Sequence, residues 1–145
     1  MADFKYTVGL NNVGSYQVSA MPYMSGNLDL TKHLHGTVVQ FPYVTSWVEV
    51  RNRGATQVSV AFSQNGVVGT GVGQGHKMIL QPSASGPGVI DSTGKMYLKV
   101  TELWLSGSAT GVDVIAGLTN IPVTRINNDA CSPNGSNWSG SYTGI

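Results

Sequence analysis

Few side chains in this 145-residue sequence could do chemistry, and their spacing argues against most of it. His33 and His35 stand at i and i+2, so on a strand they would share a face and could both touch a metal ion. A zinc site needs a third or fourth protein ligand, and only distant His76 or a stray aspartate is available. Ordinary surface or core histidines are the better reading. Gly71-Val72-Gly73-Gln74-Gly75-His76-Lys77 superficially resembles a phosphate loop. It lacks the Gly-Lys-Ser/Thr ending, and no helix-period pattern follows to offer an N-terminal dipole to an anion. A glycine-rich β loop fits it better. No Ser stands in a nucleophile-elbow sequence. The two glutamates, Glu49 and Glu102, lie in separate predicted strands, with nothing to pair them as the acid and base of a glycosidase. Trp47, Trp104 and Trp138 could stack on sugars, but core or interface packing is the usual fate of a Trp in a strand. These residues predict a protein that is not an enzyme and that holds no metal or cofactor.

The elements that would position such groups are strands. Eight basic and seven acidic residues make 10% of the chain, against about a quarter in an average soluble domain. Nineteen glycines, with many Ser, Thr, Asn and Val, take their place. A net charge of +1 gives no electrostatic case for nucleic acid, an anionic membrane or an acidic substrate. No apolar run approaches the roughly 18 residues of a membrane span. Met-Ala-Asp-Phe-Lys has neither the basic nor the apolar region of a signal peptide, so synthesis in a cytoplasm is expected. On that expectation the N-glycosylation patterns at Asn134 and Asn137 are chance matches. Cys131 is the single cysteine and forms no internal disulfide.

Period-two alternation recurs along the chain. Val48 and Val50 share a face opposite Trp47, Glu49 and Arg51; Val58, Val60 and Phe62 alternate with polar or small residues. Asn65-Gly66 then predicts a hairpin, with Val67-Val68 opening the return strand. Lys77 to Gln81 reads as a strand stopped by Pro82, and Ser83 to Gly88 as a loop. Val112, Val114, Ala116 and Leu118 form one more face, and Tyr6 to Leu10, Tyr16 to Ser19 and Thr37 to Phe41 are earlier candidates.

The stretch Met96 to Leu105 carries a conflict of phase. If Met96, Leu98 and Val100 point inward, a regular strand turns Leu103 and Leu105 outward and Glu102 inward. Either a β-bulge near Thr101-Glu102 resets the phase and buries both leucines, or a neighbouring subunit covers them. Trp104 is expected to be at least half buried in either case. The ends differ from the middle. Residues 1–30 suggest loops and short strands. From Asn127 the chain is small and polar except for Trp138, Tyr142 and Ile145. That tail either frays or lies over a protein surface, its own or a partner's, anchored by those three side chains.

Ser46 to Asn52 with Val58 to Val67, the run Leu98 to Pro122 and the closing Asn137-Trp138-Ser139-Gly140-Ser141 resemble jelly-roll decoration (cement) proteins of tailed-bacteriophage capsids. The resemblance covers roughly Val44 to Ile145. It implies a non-enzymatic homo-oligomer, commonly a trimer, that clamps adjacent capsomers, and it brings no catalytic residues.

The expected architecture is all-β: a single antiparallel β-sandwich domain over 1–145, jelly-roll-like, with a loop-rich start and an extended tail over about 127–145. The expected role is a capsid decoration protein on the virion surface. Its partners would be the major capsid protein and further copies of itself, with no nucleic acid and no membrane. Leu103, Leu105, Trp138, Tyr142 and Ile145 are the candidate interface residues. The alternatives are a head-fibre or tail-appendage module that binds host glycans, and a small β-fold hydrolase.

Overall fold

The computed structural model describes residues 21–68, 76–83 and 90–125. Among these, eight strands form two four-stranded antiparallel sheets. They are β1 (Met21–Asp29), β2 (Thr37–Gln40), β3 (Tyr43–Asn52), β4 (Val58–Ala61), β5 (Met78–Leu80), β6 (Asp91–Ser92), β7 (Glu102–Gly107) and β8 (Thr110–Pro122). One sheet runs β1-β8-β3-β6 and the other β2-β7-β4-β5. The partners are nested: β1 with β8, β2 with β7, β3 with β6, β4 with β5. A chain paired this way is a long hairpin of strands rolled into two layers. The expected all-β sandwich is what the molecule forms.

Alternation builds the layer between the sheets. Val48 and Val50 of β3 and Val112, Val114, Ala116 and Leu118 of β8 face inward from the first sheet. Val39, Val58, Val60, Leu80, Leu103 and Leu105 meet them from the second, in one continuous apolar cluster. Tyr23 of β1 packs edge-on against Phe41, ring centres 5.1 Å apart, and closes one side.

Three local expectations are corrected. Leu103 and Leu105, taken as candidate interface residues, are fully buried in the chain's own core, with 0% of either side chain exposed. The phase conflict is resolved by a change of sheet. Met96 pairs with Val48 on the edge of the first sheet, and by Glu102 the chain has joined the second. Val100, Thr101, Glu102 and Leu103 are consecutively buried at that crossing, so the facing parity is reset.

Asn65-Gly66 makes no hairpin. Gln64–Val68 is a one-turn helix, α1. The Ser63 hydroxyl accepts from the Gly66 N–H at 3.0 Å, and the Val67 N–H donates to the Ser63 carbonyl at 3.1 Å. Ser63 is thus an N-cap, and it wins over the Asn-Gly turn because Val67 gains a buried seat.

Met21–Asp29 is a nine-residue strand rather than a set of loops and short strands. As the outermost strand of its sheet among the described residues it tolerates Pro22, whose missing N–H costs no ladder bond on an edge. Glycine is required at Gly107, where a Cβ would stand 2.7 Å from the Gln57 carbonyl oxygen.

Truncating Leu103 to Ala should lower stability by about 2–5 kcal/mol, read by urea unfolding of the full chain. A loss within the scatter of surface substitutions would contradict its place in the core. Ser63→Ala should cost about 1 kcal/mol through the lost cap.

Candidate functional site

Among the described residues, a concavity opens on the flank where the two sheets part. Its volume is about 620 Å³, and its lining comes from three stretches. Val60 and Phe62 form its floor from the second sheet, Met78 flanks it from β5, and Met96, Leu98 and Val100 make the opposite wall. Val60 and Val100 are buried, Phe62 and Met96 half-buried, while Met78 and Leu98 are 41% and 36% exposed. The remaining lining residues are His76, Lys77 and Lys99. Among the described residues, no carboxylate lines it.

That wall is not a regular strand, so side-chain hydrogen bonds must hold it. Thr45 of β3 does so. Its hydroxyl donates to the Leu98 carbonyl at 2.6 Å and accepts from the Val100 N–H at 3.1 Å, while its own N–H donates to the Val100 carbonyl at 3.0 Å. Phe41 N–H adds a bond to the Thr101 carbonyl at 2.8 Å. Asn52, fully buried, anchors the end of β3 in the same manner. Its amide donates to the carbonyls of Thr56 and Gln81, both at 2.9 Å, and its Oδ1 accepts from Gly54 N–H at 2.9 Å.

The outward face of the first sheet carries most of the ordered charge. Glu49 accepts from Arg51 Nε and from the Ser92 hydroxyl, each at 2.8 Å. The Arg51 hydrogen bond, then that of Ser92, holds the Glu49 carboxyl below its ordinary value. Asp113 takes two bonds from Arg53, at 2.6 and 3.0 Å, and one from the Asn27 N–H at 2.9 Å. Arg53 is the chief reason its carboxyl is also held low. Beyond Glu49 along β3, the Lys95 ammonium sits 4.7 Å from the centre of the half-buried Trp47 ring. On the second sheet, Trp104 Nε1 donates to Glu102 at 2.9 Å, so this half-buried indole is engaged within the chain.

The structure does not bring the sequence-predicted residues together. His33 and His35 are exposed, in the turn after the one-turn 3-10 helix Leu30–Lys32, and not on a strand. Among the described residues no three His, Cys, Asp or Glu side chains cluster as a metal site would require. Leu103 and Leu105 lie in the core. Trp138, Tyr142, Ile145 and Cys131 lie outside the described residues, as do Tyr6 to Leu10 and Tyr16 to Ser19. The flank cleft was missed by sequence reasoning, since Met78 and Leu98 read only as strand residues. The available signal was the phase break after Val100, which marks where a chain leaves one sheet. Comparison of the chain with protein-family models, curated proteins and solved structures gave no match.

Thr45→Val keeps the side-chain shape and strands the Leu98 carbonyl and Val100 N–H. It should cost about 1–3 kcal/mol and speed amide hydrogen exchange at Val100; unchanged exchange there would contradict the strut. Both carboxylates have depressed folded values. Their contribution is therefore complete above the ordinary values of 4.5 for Glu49 and 3.8 for Asp113, and is lost as pH falls through the lower folded ones. The thermal midpoint should drop as acid is added below those values, and Asp113→Asn should flatten part of that drop.

Proposed function

We propose that this chain is a virion structural protein, a capsid decoration (cement) protein that binds the outer head surface of a tailed bacteriophage. The observation that carries the reading is the nested strand pairing, β1–β8, β2–β7, β3–β6 and β4–β5. A hairpin of strands rolled into two sheets is the jelly-roll plan, which recurs in viral capsid domains. The likeness is one of fold. It gains support from the resemblance over Val44 to Ile145 and from the low charge of the sequence.

In this reading the sandwich is a rigid body whose job is adhesion. Copies associate with one another, as a trimer, and each seats on the major capsid protein across a junction between capsomers. Repetition over a symmetric shell multiplies weak contacts into avidity. The face open to such contacts is the outer side of the first sheet. Pro22 and Met24 of β1 stand there in register with Gly117 and Ile115 of β8, and Trp47 and Glu49 of β3 follow beyond them. Leu103 and Leu105 have no part in it, because the core uses them. A half-exposed Trp47 on that face is also what the glycan-binding alternative would use.

Sedimentation and a binding assay test the proposal. The purified protein should sediment as an oligomer and bind assembled heads at least about tenfold more tightly than isolated capsid subunits. Equal binding to both, or a monomer without affinity for heads, would overturn it. Saturable binding on a glycan array, abolished by Trp47→Ala, would favour the appendage reading instead.

A further inference from the structure

We infer that a small pocket at the start of β7, built around Glu102, binds a primary ammonium group carried on a short alkyl stem. This inference goes beyond the role in the virion and does not depend on it.

The carboxylate comes first. The chain has two glutamates, and both are largely buried: Glu49 is 9% exposed and Glu102 7%. Glu49 has a cation beside it, Arg51, with Nε at 2.8 Å. Among the described residues Glu102 has none. The ion pairs there join Lys32 to Asp29, Arg51 to Glu49 and Arg53 to Asp113. The hydrogen bond that Glu102 does receive comes from Trp104 Nε1, at 2.9 Å, and ends on Oε1. An indole N–H is a neutral donor, and among the described residues Oε2 is left to be satisfied from outside. Withdrawing a carboxylate from water without a counter-charge is unfavourable, and a cation that can reach it offsets that penalty.

The pocket comes second. Among the described residues, Gln40, Phe41, Thr101, Glu102 and Val123 line a space of about 180 Å³. That is below the roughly 300–1,000 Å³ of sites for drug-sized molecules and suits a chain of a few carbons. Strand register explains how the pocket forms. Gln40 and Glu102 are partners across β2 and β7, while Val39 and Leu103 beside them face the core. Gln40 and Glu102 therefore stand next to each other on the outer face of the second sheet. Gln40 is exposed, so the way in is from solvent. Its side-chain carbonyl is a neutral acceptor close to a charged one, and an ammonium carries three donors to share between them. Phe41 and Val123 supply apolar surface for the stem.

Third, the same lining selects against other ligands. An anion meets the carboxylate directly. A divalent metal needs several oxygen or nitrogen ligands, and no three His, Cys, Asp or Glu side chains gather among the described residues. A primary ammonium is the head group both of a free alkylamine and of a lysine side chain on another chain, and the probes below separate those sources.

The test reads the indole N–H signals of the isotope-labelled full chain by NMR. Trp104 Nε1, bonded to Glu102, is the reporter, and Trp47, on the other sheet beside Lys95, is the control. At low ionic strength, butylammonium should shift the Trp104 signal saturably and leave Trp47 in place. It should bind at least about tenfold more tightly than butanol, and butyrate should not saturate. Glu102→Gln keeps an oxygen to accept from the indole and removes the charge, so it should bring butylammonium down to the level of butanol. Gln40→Lys, at an exposed position, sets an ammonium beside Glu102 within the chain. It should move the Trp104 signal in the direction that butylammonium does and abolish the response to added amine. Nα-acetyl-lysine N-methylamide separates the sources: binding as tight as that of butylammonium assigns the site to a lysine of another chain, and weaker binding assigns it to free amines. Equal response to butylammonium and butanol, an equal shift of Trp47, no saturable shift with butylammonium in the unmodified chain, or an undiminished response in the Gln40→Lys chain would overturn the inference.

Discussion

The fold rests on one dry layer, the contact of β8 with β7 across the sandwich. β8 is hydrogen-bonded on both sides, to β1 and to β3, and presents Val112, Val114, Ala116 and Leu118 inward along its length. Leu103 and Leu105 meet it from the second sheet. Each of these valines and leucines, buried, is worth about 1.5–3 kcal/mol. A one-residue slip of β8 would replace that face with Asp113 and Ile115. Asp113 is tied on the outside by Arg53 and by the Asn27 N–H, so the outer surface enforces the register that the inner surface rewards. The apolar layer and the charge pair are two sides of one specification.

Where the dry layer ends, buried polar groups take over. Asn52 and Thr45 sit at 0% exposure with their side-chain bonds directed at backbone that has no regular strand partner. They turn irregular connections into fixed walls. Among the described residues, the flank cleft lies between β5 and the stretch from 96 to 100 that these bonds hold. A rigid sandwich with few ionisable groups has its resources for function in surfaces and in this opening.

Much of this was legible in the residues. The inward faces of β3, β4 and β8 follow from strict alternation at Val48 and Val50, at Val58 and Val60, and from Val112 to Leu118. Helix-period patterns are absent over the same stretches, so the two-layer β architecture could be read. The errors have physical causes. Asn65-Gly66 is a strong local hairpin signal, but Ser63 before it is a helix cap, and the burial of Val67 decided between them. Leu103 and Leu105 fell out of phase with Met96 and Leu98 because the two pairs belong to different sheets, and alternation does not carry over a crossing. Pro22 and Gly26 suggest a break where the chain forms a strand, since only the topology shows that β1 is outermost in its sheet among the described residues. Asn52 and Thr45 carried no signal at all. Their importance depends on backbone brought near them from 29 and 53 residues away.

The most direct test of the proposed adhesive role is an electron cryo-microscopy map of tailed-bacteriophage particles assembled with this protein present, at a resolution where sheets separate. A decoration protein should appear there as sandwiches of two four-stranded sheets on the outside of the head, set over junctions between capsomers and in contact with one another. Density for the chain confined to the tail or to the particle interior, or no such density in the particle, would contradict it.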